Sequence, residues 1–297
     1  MAKELVVISG KGGTGKTSLV ASFASLAARA VLADCDVDAA DLYLILEPKI
    51  LKREKFSGGS RARILPELCT ACGKCKEICR FGAVLSDGAS SWENQNFFRV
   101  DPVACEGCGV CAYFCPEDAI EFAPAVNGEW FISDTRCGPM VHARLNPAAA
   151  NSGKLVSLVR AQARKISEER NLDSVIIDGS PGIGCPVIAS ITGADLVLVV
   201  TEPTLCGLHD LERIRALTRH FSIPTLVCIN KYDLNEDLAC RIEAVSTELD
   251  MRVVGKVRYD EAVTKAQIMK ASVIEYTGSL VSLQIESLWR QIVYSLG

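Results

Sequence analysis

A chain of 297 residues, 49% hydrophobic and 23% charged, carries enough apolar material for one large core and a smaller satellite, which excludes a disordered polymer. A net charge of -4 argues against a general nucleic-acid surface, because neutralising phosphates takes a concentrated basic face. Fourteen cysteines would suit a small secreted disulfide scaffold. The opening MAKELVVISG lacks the apolar core and cleavage site of an export signal, so metal ligation in the cytoplasm is the expectation.

Along the chain, short β-branched runs alternate with longer amphipathic ones, the signature of a parallel sheet covered by helices. Strands are expected at 5–9, 30–34, 139–143, 174–178, 196–201, 225–230 and 252–257, with helices such as 17–29, 153–170 and 207–221 between them. The first strand runs into GKGGTGKTS, residues Gly10, Lys11, Gly12, Gly13, Thr14, Gly15, Lys16, Thr17 and Ser18. Its glycines let backbone N–H groups curl around phosphates, Lys16 reaches the β and γ oxygens, and Thr17 offers a hydroxyl to magnesium. A chance glycine-rich turn would not fall between an apolar strand and an apolar-periodic helix in this order. The second strand ends in Asp34, Cys35 and Asp36, with Asp38 close behind.

The alternation fails from about Phe56 to Asn127, leaving 1–58 and 128–297 as two parts of one α/β domain around an insert at 59–127. Inside the insert, CTACGKCKEICRFGAV from Cys69 repeats as CEGCGVCAYFCPEDAI from Cys105, cysteine for cysteine. The spacing C-x2-C-x2-C-x3-C suits four-iron four-sulfur clusters: three close thiolates wrap three corners of one cubane and the fourth crosses to the other. One cluster is therefore expected on Cys69, Cys72, Cys75 and Cys115, and a second on Cys79, Cys105, Cys108 and Cys111. Cys115 precedes the usual Pro116 whereas Cys79 precedes Arg80, a change in a turn more than in a ligand. Zinc sites also use C-x2-C pairs, but as doublets split by a longer loop. So small a module has little core of its own, and cluster binding should supply much of its folding energy.

Beyond the insert, VIIDGSPG at 175–182 is an apolar strand ending in Asp178, and Cys185 follows shortly after. Residues 230–233, Asn230, Lys231, Tyr232 and Asp233, match the NKxD guanine-reading motif literally. Most of the remaining cysteines, Cys35, Cys137, Cys206, Cys228 and Cys240, read as small buried hydrophobes. The three histidines show no ligand spacing. The most apolar later stretch, 187–200, is broken by polar residues and falls short of the ~20 residues that span a bilayer, so no membrane span is expected. The terminal SLVSLQIESLWRQIVYSLG has one arginine and no lysine, which suits packing on the sheet rather than on a membrane.

The KGGxGKT form of the phosphate loop, the strand ends at Asp34 and Asp178, and the segment TEPTLCGLHDLER with Thr201, Pro203, Asp210 and Arg213 resemble the MinD, ParA, Mrp and nitrogenase iron protein superfamily on both sides of the insert. The resemblance implies an α/β, parallel-sheet P-loop NTPase of the deviant Walker A, SIMIBI class, interrupted here by an α+β ferredoxin-like domain. It implies that Lys11 reaches across a nucleotide-sandwiched dimer to the partner's phosphates, neutralising charge much as an arginine finger does. Hydrolysis would then be slow in a lone chain, the partner being a second copy or a related ATPase. Lys11, Lys16 and Asp36 form the implied catalytic set. Thr17, Asp34 and Asp178 are the implied Mg2+ ligands, and Asp36, Asp38 and Gly182 the implied switch residues.

In that family the asparagine at the place of Asn230 contacts adenine, which favours ATP over GTP despite the NKxD match. The nitrogenase iron protein has a cluster-ligating cysteine at a similar offset to Cys185, making Cys185 a candidate bridging ligand, with Cys137 as its candidate companion, against the plainer alternative of a packed switch cysteine. Three functions fit: ATP-gated electron transfer through two 4Fe-4S clusters to an unidentified redox protein; Mrp-type assembly of iron-sulfur or other metal cofactors on a client; and positioning like MinD or ParA. The second lacks the C-terminal C-x-x-C of Mrp-type carriers, and the third has no evident use for two clusters.

Overall fold

The computed structural model describes residues 2–87, 97–146 and 152–297. The chain divides into two compact units, one of Met1–Glu54, Trp130–Arg144 and Ser152–Gly297, the other of Lys55–Glu129 with Leu145–Asn151. The elements run β1 (Lys3–Ser9), α1 (Lys16–Leu26), β2 (Ala30–Asp34), α2 (Leu42–Leu46) and β3 (Lys49–Phe56), then β4 (Gly59–Ile64), α3 (Lys74–Ile78), β5 (Val84–Asp87), β6 (Phe97–Val100), α4 (Val110–Tyr113) and β7 (Ile120–Ala125). They continue with β8 (Gly128–Thr135), β9 (Gly138–Leu145), α5 (Ser152–Glu169), β10 (Ser174–Pro181), α6 (Cys185–Ile191), β11 (Leu196–Thr201) and α7 (Leu205–His220). The chain ends with β12 (Thr225–Asn230), α8 (Glu236–Glu248), β13 (Arg252–Val257), α9 (Glu261–Ile268), α10 (Val273–Tyr276) and α11 (Leu280–Leu296).

Nine strands form one mostly parallel sheet in the order β13-β12-β11-β1-β10-β2-β9-β8-β3, the α/β fold expected of the sequence. Leu5, Val6, Val7 and Ile8 are all fully buried, because a central parallel strand is covered by helices on both faces. The chain goes from β1 to β2 on one side and later from β10 to β11 across β1. This places a topological switch point at the carboxyl end of β1, where open α/β sheets bind their ligands. Parallel register sets Val7 beside Asp178 and Asp178 beside Asp34, so two carboxylates meet at that edge. On one face α11 buries Val281, Ile285, Leu288 and Ile292 against α1 and the sheet, and Trp289 stacks on Phe23 with ring centroids 5.3 Å apart. The terminal helix thus packs on the sheet, as its composition suggested.

Local boundaries depart from the sequence pattern for identifiable reasons. Helix α7 starts at Leu205, before the expected 207, because the Thr204 hydroxyl accepts the Gly207 N–H and caps it. Helix α1 stops at Leu26 rather than 29 because Ala27 is already extended, leading into β2. Strands β3 and β8, which widen the sheet, have no counterpart among the expected strands. His142 lies buried in β9 within 3.0 Å of Ser133, and burial lowers its pKa to about 4, so it is a neutral core residue at physiological pH.

Glu4 on β1 is a charged residue inside this core. Its carboxylate pairs with Arg160 and Arg164 of α5, and Arg160 also donates to Ala189 O at 2.7 Å and Thr192 O at 2.9 Å. One guanidinium thereby ties β1 to the carbonyl end of α6. Burial pushes the Glu4 carboxyl up, but the two arginines more than offset it and hold it below its ordinary value. Glu4→Ala leaves Arg160 buried without a counter-ion and is expected to cost about 3–5 kcal/mol in urea unfolding. Arg164→Ala, at a half-exposed position, should cost much less.

The second unit has a smaller frame. Strands β4 and β7 pair antiparallel, as do β5 and β6. Among its described residues Ala62, Ile64, Val84 and Ile120 form a small buried cluster, with Cys69, Cys75, Cys79, Cys105, Cys111 and Cys115 packed around them, and Phe56, Ala83 and Ala119 are buried as well.

Candidate functional site

The phosphate loop occupies the switch point between β1 and α1. Gly13 and Gly15 sit at φ 80 and 88, left-handed conformations that glycine adopts without strain. A Cβ at Gly15 would overlap the Asn230 amide, and one at Gly10 the Asp210 side chain, so both glycines also serve close approach. Helix α1 starts from Gly15 with no side-chain cap. Its first N–H groups are left to meet an anion, which the helix dipole favours.

Lys16 is only 5% exposed; its ammonium lies 2.5 Å from Asp178 Oδ1 and 3.4 Å from Asp36 Oδ2. Burial opposes its charge, but Asp178 and Asp36 prevail and raise its pKa. Asp34 is fully buried and accepts the backbone N–H of Asp36 at 3.1 Å and of Leu42 at 3.3 Å. Burial and the neighbouring Asp178 carboxylate push Asp34 well above the usual carboxylate range. Burial likewise lifts Asp36 to about 6. Three carboxylates therefore face one ammonium, and Asp178 Oδ2 is buried with no hydrogen-bond partner. The cluster can offer a hard cation such as Mg2+ one or two carboxylate oxygens, the share that Mg2+ takes from protein when nucleotide phosphates and water complete its shell.

A cavity of about 440 Å3 opens beside this cluster, lined by 12–18, Asp36, Asn230, Lys231 and 257–260, a size suited to a small-molecule ligand. Asn230 donates to Thr14 O at 2.7 Å and Lys231 to Gly13 O at 2.8 Å. Asp233 accepts the Tyr259 N–H at 2.6 Å and lies 3.8 Å from the Arg258 guanidinium. The motif that literally matches a guanine reader thus spends its asparagine, lysine and aspartate on protein partners. Gly182, at φ +89, donates its N–H to Ser9 O at 2.8 Å, which ties the segment after Asp178 to the end of β1. Asp38 is exposed.

Lys11 turns away from this cluster and pairs with Glu202 at 2.5 Å. Cys185 is exposed at the start of α6, whereas Cys137 packs against the α1 side of the core, 3.7 Å from Ser25 Oγ.

In the second unit, the eight repeat cysteines fall around two cavities, four at each. Cys69, Cys72, Cys75 and Cys115 line a small cavity of about 20 Å3, and Cys79, Cys105, Cys108 and Cys111 line one of about 420 Å3. The two repeats share a backbone path: Ala71 and Gly73 sit at φ 56 and 76, Gly107 and Gly109 at φ 64 and 76. Paired left-handed residues curl each loop around its cavity. All fourteen cysteines are free. Among the described residues no three His, Cys, Asp or Glu side chains converge closely enough to hold a single metal ion; a cubane, whose ligands attach at separate corners, needs a wider cage.

A model of the CobQ/CobB/MinD/ParA nucleotide-binding domain matches residues 5–273. The chain belongs to this family. As a MinD/ParA-family nucleotide-binding ATPase it is similar to an uncharacterized protein of Methanocaldococcus jannaschii, MJ0578, at 32% identity over 242 residues, 78% of this chain and 79% of that one. The same organism has an uncharacterized ferredoxin, MJ0722, 33% identical over 57 residues, 18% of this chain and 66% of that one. The fold matches the cell division ATPase MinD of Pyrococcus furiosus with a TM-score of 0.57 at 16% identity, across 99% of both chains. No helix among the described residues of this ATPase is long and apolar enough to cross a membrane.

Glu202 and Asp233 acquire partners that no local pattern announces. The glutamate follows a strand end and the aspartate closes a known motif, but Lys11 and the Tyr259 amide are remote in sequence. The carboxylate cluster also sets a pH dependence. With Asp36 at about 6 in the folded chain, lowering the pH through that value adds a proton and removes a negative charge from the cation site. Mg2+-dependent nucleotide binding should therefore weaken between about pH 7 and pH 5, and Asp36→Asn should flatten that part of the titration.

Proposed function

We propose that the chain is an ATP-gated electron-transfer protein, in which nucleotide bound between two copies, or between this chain and a related ATPase, controls two 4Fe-4S clusters that pass electrons to a partner protein. The observation that carries this proposal is the sorting of eight repeat cysteines into two cavities, four lining each, within one unit of a chain whose other unit is a MinD/ParA-family ATPase. The partial likeness to a ferredoxin supports the same conclusion. Cys69, Cys72, Cys75 and Cys115 would hold one cluster, Cys79, Cys105, Cys108 and Cys111 the other. Bound there, such clusters supply one-electron chemistry at potentials set by burial and hydrogen bonding.

On the nucleotide side, the glycines and N–H groups of 10–18 bind the phosphates, Lys16 neutralises them, and Thr17, Asp34 and Asp178 present oxygens to Mg2+. Asp36 orients the attacking water, and Lys11 acts on the partner's phosphates. Asn230, whose amide nitrogen is taken by Thr14 O, offers adenine its side-chain oxygen, with Asp233 committed to the Tyr259 N–H and the Arg258 guanidinium. The insert makes an assembly role testable in the same material: transfer of iron and sulfide to an apo-ferredoxin would favour maturation over electron transfer.

Anaerobically purified chain should contain about eight iron and eight sulfide, and Cys72→Ser or Cys108→Ser should each remove about half. Lys16→Ala should abolish nucleotide binding, while Lys11→Ala should keep binding and lose hydrolysis, measured by equilibrium dialysis and phosphate release. An iron-poor chain that hydrolyses ATP at full rate, or Lys11→Ala with unimpaired turnover, would contradict the proposal.

A further inference from the structure

Glu202 occupies a position that nucleotide chemistry alone does not require. It follows directly on β11, two residues before the Thr204 cap of α7, and its side chain is only 15% exposed while that of Lys11 is 38% exposed. The carboxylate is the fixed partner and the lysine the movable one. Its two oxygens are divided: Oε1 lies 2.5 Å from the Lys11 ammonium and Oε2 3.3 Å from that of Lys231. Its backbone is fixed as well, since Glu202 O accepts the Thr204 N–H at 2.7 Å and Gly207 packs so closely on that carbonyl that a Cβ would overlap it.

The two lysines are held unequally. Lys231 has a second acceptor, Gly13 O at 2.8 Å, and a left-handed backbone at φ 54 that aims it there. The side-chain ammonium of Lys11 pairs with Glu202. If Lys11 departs, Glu202 keeps Lys231 and is not left as an unpaired, largely buried carboxylate, the situation that makes breaking an ion pair expensive. The arrangement restrains Lys11 while keeping its release affordable. Burial raises the Glu202 carboxyl, but the two ammonium groups bring it below its ordinary value, so the restraint persists across the neutral range.

We propose that Glu202 is a positioning residue that holds Lys11 within its own chain until a second chain's nucleotide competes for it, and so sets the chain concentration at which hydrolysis begins. This rests on the dimer-dependent hydrolysis proposed above. In the lone chain the ammonium is neutralised by Glu202. In the sandwich it must exchange that carboxylate for phosphate oxygens, with Lys231 left to balance Glu202.

The test is turnover per chain as a function of chain concentration, at saturating MgATP, for anaerobically prepared full-length protein. Wild type should show a rise with a defined midpoint. Glu202→Gln, and Glu202→Asp, which keeps the charge but withdraws it by one methylene, should lower that midpoint by roughly two- to fivefold, the scale of a partly exposed ion pair. Lys231→Met, which leaves Glu202 to Lys11 alone, should raise it. A purely structural role for Glu202 would not move the midpoint in opposite directions. Midpoints equal to wild type in both Glu202 variants would overturn the proposal while leaving the dimer intact. A wild-type rate independent of concentration would instead remove the dimer, and the proposal with it.

Discussion

The ion pair between Lys16 and Asp178, with Asp36 beside it, is the interaction on which the nucleotide unit is organised. An ammonium buried to this degree is stable only when carboxylates reach it, and the strand order supplies them. Strand β10 lies between β1 and β2, and register brings Asp178 and Asp34 side by side at the edge where the phosphate loop leaves β1. Burial in turn holds Asp34 and Asp36 above the ordinary carboxylate range, so the cluster is poised for a cation rather than satisfied by the protein. In the proposed cycle Lys16 exchanges carboxylates for phosphate oxygens, and the segments after Asp34 and Asp178 follow the exchange. The buried Arg160 of α5, which holds Glu4 of β1 and the end of α6 together, gives the second of those segments a rigid boundary.

The cysteine unit follows a different logic. The small apolar cluster of its described residues, three of whose buried members are alanines, is little to stabilise a fold of this length by itself, and cysteines pack around that cluster where a larger core would have apolar side chains. Burial pushes the Cys75 and Cys111 thiols up, so these inner positions favour the thiol until a positively charged iron centre reverses the balance. The proposed clusters would therefore be structural members as well as redox centres. The chain leaves the ATPase unit after Glu54, returns at Trp130, and leaves again after Arg144 before rejoining at Ser152, so the two units are linked at several points along the chain.

What could be read from the sequence was what local spacing encodes. The phosphate loop is nine adjacent residues flanked by a strand and a helix, and the cysteine quartets are a repeat whose glycines recur at the same turns. Asp34 was visible as the polar end of β2, and Asp178 as the first carboxylate after an apolar run, though β10 continues past it to Pro181. Strand β3, KILKREKF, escaped because seven of its eight residues are exposed and it carries no alternation; β8 belongs to the same edge of the sheet. Glu202 was missed for another reason: its meaning depends on Lys11, which only the sheet order brings near. Asp233 was visible as the end of an NKxD match, but its partner, the Tyr259 amide, lies 26 residues further on.

The central claim is that bound nucleotide changes the energetics of iron-sulfur centres carried by the same chain. A redox titration of anaerobic full-length protein, followed by electron paramagnetic resonance with and without MgATP, measures this directly. A displacement on the order of 60 mV in at least one centre, equivalent to about 1.4 kcal/mol for one electron, is expected, and it should vanish in Lys16→Ala. Identical potentials with and without nucleotide, in protein holding both clusters and saturated with MgATP, would contradict it.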